Sequence, residues 1–353
     1  MLEDLLILLG EPRLLGLAGV ATGVIFGWAA QRSRFCLRAA TVEVADGQFG
    51  PRMAIWLIVF FTALAMTQAG VALGLFDVSE TRQLAGVGSL SGAVIGGLMF
   101  GVGMILARGC ASRLLVLSAT GNLRALMTGL VVTLVAQSAY RGVLAPAREA
   151  LSGLWTIGES TGRNLLTAVG IGPGIAATAA ALALFSVLAM ARRRDLSLGA
   201  IIAGVCVGGA VALGWGLTAS IAAISFEIVP ISSVTFTGPS TDTLMALVTQ
   251  RNLPLSFGVG LVPGVFASSF VASFLRREFK IQRFGPDAPM ENYLAGAVLM
   301  GFGAMLAGGC AVGAGVSGGA VLSMTAVLAV FFMWVGAVVT IRLSHRGANP
   351  TLA

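Results

Sequence analysis

The sequence predicts an all-α polytopic membrane protein of about nine spans, built on an inverted internal repeat. Three observations predict it. Of 353 residues, 57% are apolar and only 10% charged, with a mean hydropathy of +0.93; a soluble chain of this length carries far more charge. Apolar runs long enough to cross a bilayer recur from one end of the chain to the other. An eleven-residue phrase, G-x-G-x-x-L-A-x-G-C-A, occurs at residues 101–111 and again at 301–311, and such self-similarity marks a duplication.

The apolar runs place spans at about 14–31, 51–73, 88–107, 122–141, 172–191, 197–216, 255–275, 292–309 and 321–342, each near the length a hydrocarbon core requires. The chain 1–353 reads as a single membrane domain. Residues 14–141 form a first repeat half, 197–342 a second, and 142–196 a connecting segment with one span. The two copies of the phrase end the third and eighth spans. Five spans apart, they run oppositely through the membrane, which brings equivalent helix ends toward a shared centre. A fainter echo, Val20-x3-Val24-x2-Gly27-Trp28 against Val207-x3-Val211-x2-Gly214-Trp215, fits the same duplication. The 48 glycines and 13 methionines suit close helix approach and broken helices.

Positive charge is almost all arginine, with Lys280 the one lysine, and it sits in short connections. That pattern argues for positive-inside topology in a bacterial inner membrane and against nucleic acid. Arg192 to Arg194, the group from Arg276 to Arg283, Arg342 and Arg346, and the group from Arg32 to Arg52 fall on one side if the N-terminus is outside. Arg141 and Arg148 disagree with that count. The acidic opening Met1-Leu2-Glu3-Asp4 is unlike a cleavable signal. No P-loop pattern is present, so direct use of ATP by this chain is not expected.

Chemistry concentrates on the cysteines. Only four occur, and two of them, Cys110 and Cys310, stand in register within the repeat, each after a glycine, Gly109 and Gly309. Short apolar stretches follow, 111–118 and 311–319, and read as half-helices dipping into the bilayer. Helices that start at the cysteines aim free N–H groups and a positive dipole end at the centre, where an anion is the natural guest. Cys36, in Gln31-Arg32-Ser33-Arg34-Phe35-Cys36, is a third thiol in a polar turn with no partner in the second half. Cys206, inside the sixth span, reads as a small packing residue.

Alternatives are weaker. The cysteines are scattered without a C-x-x-C pair, which disfavours a disulfide. The lone His345 lies in the tail, and no ligand set for a metal or cofactor is apparent. No base neighbours a thiol in sequence, so no enzyme is expected. Thiols acting as weak S–H donors toward a sulfur-containing anion remain, with neutral thiols as the expected form unless cations intervene.

These motifs are similar to those of the YeeE/YedE sulfur transport family. The likeness rests on Phe26-Gly27 with the 31–36 stretch, on 101–110, on 301–310, and on Phe236-Thr237-Gly238-Pro239-Ser240, so it spans both halves. The resemblance implies an hourglass-like protein of nine long helices and several short ones, taking up thiosulfate across the bacterial inner membrane. It implies that Cys36, Cys110 and Cys310 pass the anion along by S–H contacts, beside a cytoplasmic TusA-like sulfur carrier. Some relatives serve selenium metabolism. Arg34, Thr237 and Gly238 join the candidate substrate residues as flanking positions, Arg34 otherwise being a topology anchor and Gly238-Pro239 an ordinary turn. A membrane thiol relay, with a transient persulfide or selenium adduct on a cysteine, is the alternative to permeation.

Overall fold

In hydrocarbon every backbone N–H and C=O must find its partner within its own segment, and each long apolar run of this chain accordingly folds as a helix. The computed structural model describes residues 2–158, 163–251, 253–283 and 289–346; the His345 side chain lies outside the described positions. The long helices are α2 (Glu11–Ser33), α4 (Pro51–Ala72), α6 (Leu90–Leu106), α8 (Leu123–Arg141), α11 (Pro173–Arg193), α12 (Leu198–Ile224), α14 (Phe257–Leu275), α15 (Met290–Leu306) and α16 (Met324–Arg346). Between them lie shorter ones: α1 (Leu2–Leu9), α3 (Leu37–Ala45), α5 (Arg82–Ala85), α7 (Ala111–Ala119), α9 (Ala145–Ser152), α10 (Leu165–Val169) and α13 (Thr237–Thr249). A two-residue ladder, Gly88–Ser89 against Thr156–Ile157, is the one sheet among the described residues.

Eight helical segments are long and apolar enough to cross a membrane among the described residues. The ninth expected span is the helix α15, whose 17 residues rise only about 25 Å, a little short of a hydrocarbon core. It is short because Ala307, Gly308 and Gly309 break it ahead of Cys310. α6, of the same length, joins α7 to form one of the eight.

The repeated phrase owes its two glycines to packing. Residues two apart on a helix point to nearly opposite faces, so G-x-G opens the helix to a neighbour on each side. An added Cβ at Gly103 would stand 2.6 Å from the Gly296 carbonyl of α15, and one at Gly303 would stand 2.8 Å from the Gly96 carbonyl of α6. Gly101 faces Met333 and Ala337 of α16, and Gly301 faces Val132 and Val135 of α8. Because Gly96 meets residues 303–307 while Gly103 meets 296–300, α6 and α15 cross antiparallel.

Several further close crossings are parallel. Gly19, Gly23 and Gly27, at four-residue spacing on α2, lie in turn against residues 257–261, 261–265 and 265–268 of α14, a small-xxx-small seam that lets backbones touch. α12 likewise runs parallel to α4, with Gly204 on Ile58 and Gly208 on Val59 and Ala63. The parallel pairings are thus α2 with α14, α4 with α12, α6 with α16 and α8 with α15, and antiparallel ones of similar extent join α6 with α15, α4 with α11 and α2 with α12. Trp215, Phe26, Phe100 and Phe236, the bulkiest fully buried side chains among the described residues, fill the space between these crossings.

Two short helices differ from expectation. The Gly238-Pro239 pair, which reads as a turn, lies inside the first turn of α13, where a proline's missing N–H costs nothing. Residues 311–319 do form a short helical piece, yet Gly313–Gly318 is wound as a π-helix, with the Ser317 N–H donating to the Val312 carbonyl at 2.9 Å.

Candidate functional site

Three of the four cysteines occupy the same local position, the residue from which a short helix starts. The Cys36 carbonyl accepts from Ala40 at 3.3 Å ahead of α3, that of Cys110 from Leu114 at 2.9 Å ahead of α7, and that of Cys310 from Ala314 at 2.8 Å ahead of the π turn. All three side chains are buried, whereas Cys206 is exposed on α12, and all four thiols are free. A fourth short helix, α13, starts in the same way at Phe236, whose carbonyl accepts from Ser240 at 2.9 Å. There a ring, packed 5.1 Å from that of Phe26, stands where the others carry sulfur.

The turns that deliver Cys110 and Cys310 are alike. Arg108 and Gly308 take left-handed φ of 55° and 78°. Gly109 then donates to the Met104 carbonyl at 3.1 Å, and Gly309 to the Ala304 carbonyl at 2.9 Å, the six-to-one closure of a Schellman cap. Both glycine N–H groups are thereby engaged within their turns. A Cβ at 309 would stand 2.9 Å from the Ala314 nitrogen, and one at 109 would stand 3.3 Å from Leu114, so each glycine lets the next helix start directly beneath the turn.

The thiols fall into two stations. Cys110 lies close enough to Cys36 for the two thiols to interact, and its sulfur is 3.4 Å from the Ser112 hydroxyl. Cys310 has the Thr235 hydroxyl at 4.0 Å. Antiparallel packing explains the split: Ala107, just past the end of α6, is level with Gly296, ten residues and so about 15 Å from Leu306 at the end of α15. The cysteines in register within the repeat therefore do not neighbour each other directly; Cys110 neighbours the cysteine that has no repeat partner.

The end of the molecule nearer Cys36 is rich in arginine. A cavity of about 360 Å³ there is lined by Arg32, Ser33, Arg34, Arg52, Arg194 and Asp195, among others. Arg34, exposed, caps α2 in the left-handed conformation at φ 52°. Gln31 donates to Glu278 at 3.1 Å, which ties the basic segment after α14 to the same end. Glu43 lies nearby yet is committed, accepting the N–H groups of Arg52 and Met53 at 3.1 and 2.9 Å. Arg141 lies at the opposite end, where it and Arg82 act on Asp242. Arg82 also donates to the Gly308 carbonyl at 3.1 Å, two residues before Cys310.

Thr237 is buried with its hydroxyl unpartnered among the described residues. With Phe236, Ser240 and Leu114 it borders a mostly apolar cavity of about 180 Å³ between α7, α8, α13 and α14. A Cβ at Gly238 would meet open space. The π turn behind Cys310 is clamped from three sides: Trp215 donates to the Ser317 carbonyl at 3.3 Å, Ser317 to the Val234 carbonyl at 2.6 Å, and Gln68 to the Ala320 carbonyl at 2.8 Å.

Two arginines beside the thiols carry no site expectation from the sequence, Arg38 counting there only within the topology group from Arg32 to Arg52. Arg38 acts electrostatically on Cys36, and Arg113 on both Cys36 and Cys110. A signal for Arg113 exists, since an ionisable residue within an intramembrane apolar segment is a functional candidate by default. In sequence, the Cys110-Ala111-Ser112-Arg113-Leu114 stretch stands out only for its cysteine and its apolar character.

The fold and the buried thiols together define a multi-pass α-helical membrane protein organised around short helices that start inside it. The family model described as sulphur transport matches residues 32–339, and the chain belongs to that family, the YeeE/YedE family. Similar proteins include the thiosulfate transporter TsuA of Escherichia coli (strain K12), 26% identical over 345 residues, 91% of this chain and 92% of that protein. TsuA of Spirochaeta thermophila (strain ATCC 700085 / DSM 6578 / Z-1203) is 28% identical over 337 residues, 90% of this chain and 96% of that one.

Proposed function

We propose that this chain is a permease of the bacterial inner membrane that takes up thiosulfate through a path marked by Cys310 at one station and Cys36 with Cys110 at the other. The observation that carries this reading is the common placement of three buried free thiols at the starts of short helices, positions where a helix also leaves N–H groups without an intrahelical partner. The names of the two relatives supply the substrate. Exchanged contacts, Gly96 on Gly303 and Gly103 on Gly296, support two halves inverted about an axis between α6 and α15. The arginine-rich end is assigned to the cytoplasm by the positive-inside rule, so the guest meets Cys310 first and leaves toward Arg34 and a TusA-like carrier. Gly109 and Gly309 shape the turns at the path, while Thr237 and Gly238 border its outer half.

The test is uptake of radiolabelled thiosulfate by cells lacking other routes. Cys110→Ala and Cys310→Ala are compared with the unmodified chain at matched membrane levels, with sulfate as competitor. Loss of uptake in both variants, without competition by sulfate, is the expected result. Uptake indifferent to both substitutions would remove the thiols from the path.

The contact between Cys36 and Cys110 favours one second reading, a thiol relay. A thiolate there attacks the outer sulfur of thiosulfate, the S–S bond of the anion breaks, sulfite leaves with the bonding pair, and a persulfide remains on the cysteine. Intact-mass analysis after exposure to thiosulfate separates the readings, because pure permeation leaves no adduct.

A further inference from the structure

A guanidinium held inside a membrane protein is costly unless something answers its charge. Arg113 sits in the first turn of α7, three residues beyond Cys110. Its Nη1 is fully buried with no hydrogen-bond partner among the described residues. The groups acting most strongly on it are the Cys36 and Cys110 thiols and two further arginines, Arg34 and Arg52. Those two line the open cavity at the arginine-rich end, together with Arg32 and Arg194 and with Asp195 as the acidic member of the lining. Three features therefore lie together: an open basic cavity, a half-buried arginine with one fully buried, unused donor, and a pair of thiols. Arg38, a second half-buried arginine near Cys36, also keeps one nitrogen, Nε, buried and unpartnered among the described residues.

We propose that Arg113 is the oxyanion seat of the inner thiol station: its guanidinium binds the oxygens of a sulfur oxyanion whose outer sulfur meets Cys36 and Cys110, and Arg34 and Arg52 line the way from this seat to the open cavity. The inference rests on the thiosulfate reading for the identity of the guest, but the seat itself is defined by charge. A planar fork of N–H donors matches two oxygens of a tetrahedral sulfur centre, as it matches a carboxylate or phosphate. Thiols are poor partners for those oxygens and better ones for a polarizable terminal sulfur. The two ends of the anion are then read by different groups. Arg113 supplies affinity common to thiosulfate and sulfate, and the thiols supply the discrimination between them.

The experiment has two arms on the purified full-length protein. In proteoliposomes, thiosulfate uptake is measured for the wild type, Arg113→Gln and Arg113→Lys, with each preparation checked for a single monodisperse peak. Arg113→Gln is expected to raise KM about tenfold or more, the effect of losing one charge-assisted pair, with a much smaller fall in the maximal rate. Arg113→Lys is expected to fall between, because it keeps the charge and loses the fork. A KM for Arg113→Gln within twofold of wild type would overturn the seat. The second arm needs no variant: alkylation of Cys36 and Cys110 by N-ethylmaleimide is followed by peptide mass spectrometry in thiosulfate, sulfate or chloride at equal ionic strength. Slowing by thiosulfate at low concentration and by sulfate only at a much higher one, with none by chloride, supports the seat; rates equal in all three salts at every concentration would refute it. A wild type that fails to take up thiosulfate would sink the permease reading alone, and the alkylation arm would still decide the seat.

Discussion

The antiparallel crossing of α6 and α15 gives a measurable penalty for a single methyl group. In Gly303→Ala the new Cβ would lie 2.8 Å from both the Gly96 oxygen and the Phe100 nitrogen, where ordinary contact begins near 3.4 Å, so the helices must part by about 0.6 Å. Both obstructing atoms are backbone, and no rotamer change relieves them. Overpacking of this kind costs about 1–3 kcal/mol. The readout is the melting midpoint of the detergent-solubilised protein, taken as the fraction that stays monodisperse after heating, and a fall of several degrees is expected. Gly96→Ala presses on the same crossing, with its Cβ 2.6 Å from the Gly303 oxygen. Once the helices have parted, the second methyl costs less, so the double variant is expected to lose about 0.5 kcal/mol or more less than the sum of the singles. Gly174→Ala is the control, since its Cβ meets only the Ala72 Cβ at 4.0 Å and a helical alanine is neutral or slightly stabilising. A midpoint for Gly303→Ala no lower than that of the control would refute the packing account of the repeated phrase.

Two further substitutions probe the supports of the site. Trp215→Phe removes the indole donor to the Ser317 carbonyl, a loss of about 0.5–1.5 kcal/mol for one neutral hydrogen bond; faster alkylation of Cys310 is expected, and an unchanged rate would show that the clamp does not hold the π turn. Glu43→Ala uncaps α4 by freeing the Arg52 and Met53 N–H groups. It is expected to cost about 1 kcal/mol, read as a lower melting midpoint, whereas Glu43→Gln, which keeps one acceptor, loses less.

The long helices were legible because hydrophobic runs between charged turns carry their own length signal; the expected 51–73 and 172–191 spans correspond to Pro51–Ala72 and Pro173–Arg193. The short helices were less so. α7 follows an apolar stretch and is visible, whereas α3 and α13 start in polar, turn-like contexts whose helical character depends on what packs around them. The π winding at Gly313–Gly318 has no pattern in sequence beyond its glycines. For the site, register within the repeat marked Cys110 and Cys310, but register says nothing about which side chains become neighbours. That is set by α6 and α15 running in opposite directions, which separates their ends and leaves Cys110 to Cys36. Arg113 was hidden by the number of arginines around it, each with a ready explanation as a membrane flank.

The pairing of α2 with α14, α4 with α12, α6 with α16 and α8 with α15 has a consequence for biogenesis. Every one of these pairs joins an early helix to a late one. During synthesis the first four spans enter the lipid long before their partners exist, and the glycine faces of α2 and α6 wait against acyl chains until residues beyond 257 have left the ribosome. A fragment ending after α8 would therefore insert and yet have nothing to close upon. Assembly of this protein is a late, concerted event, and interruption of the chain anywhere before α14 is expected to leave inserted helices that quality-control proteases recognise as unpaired.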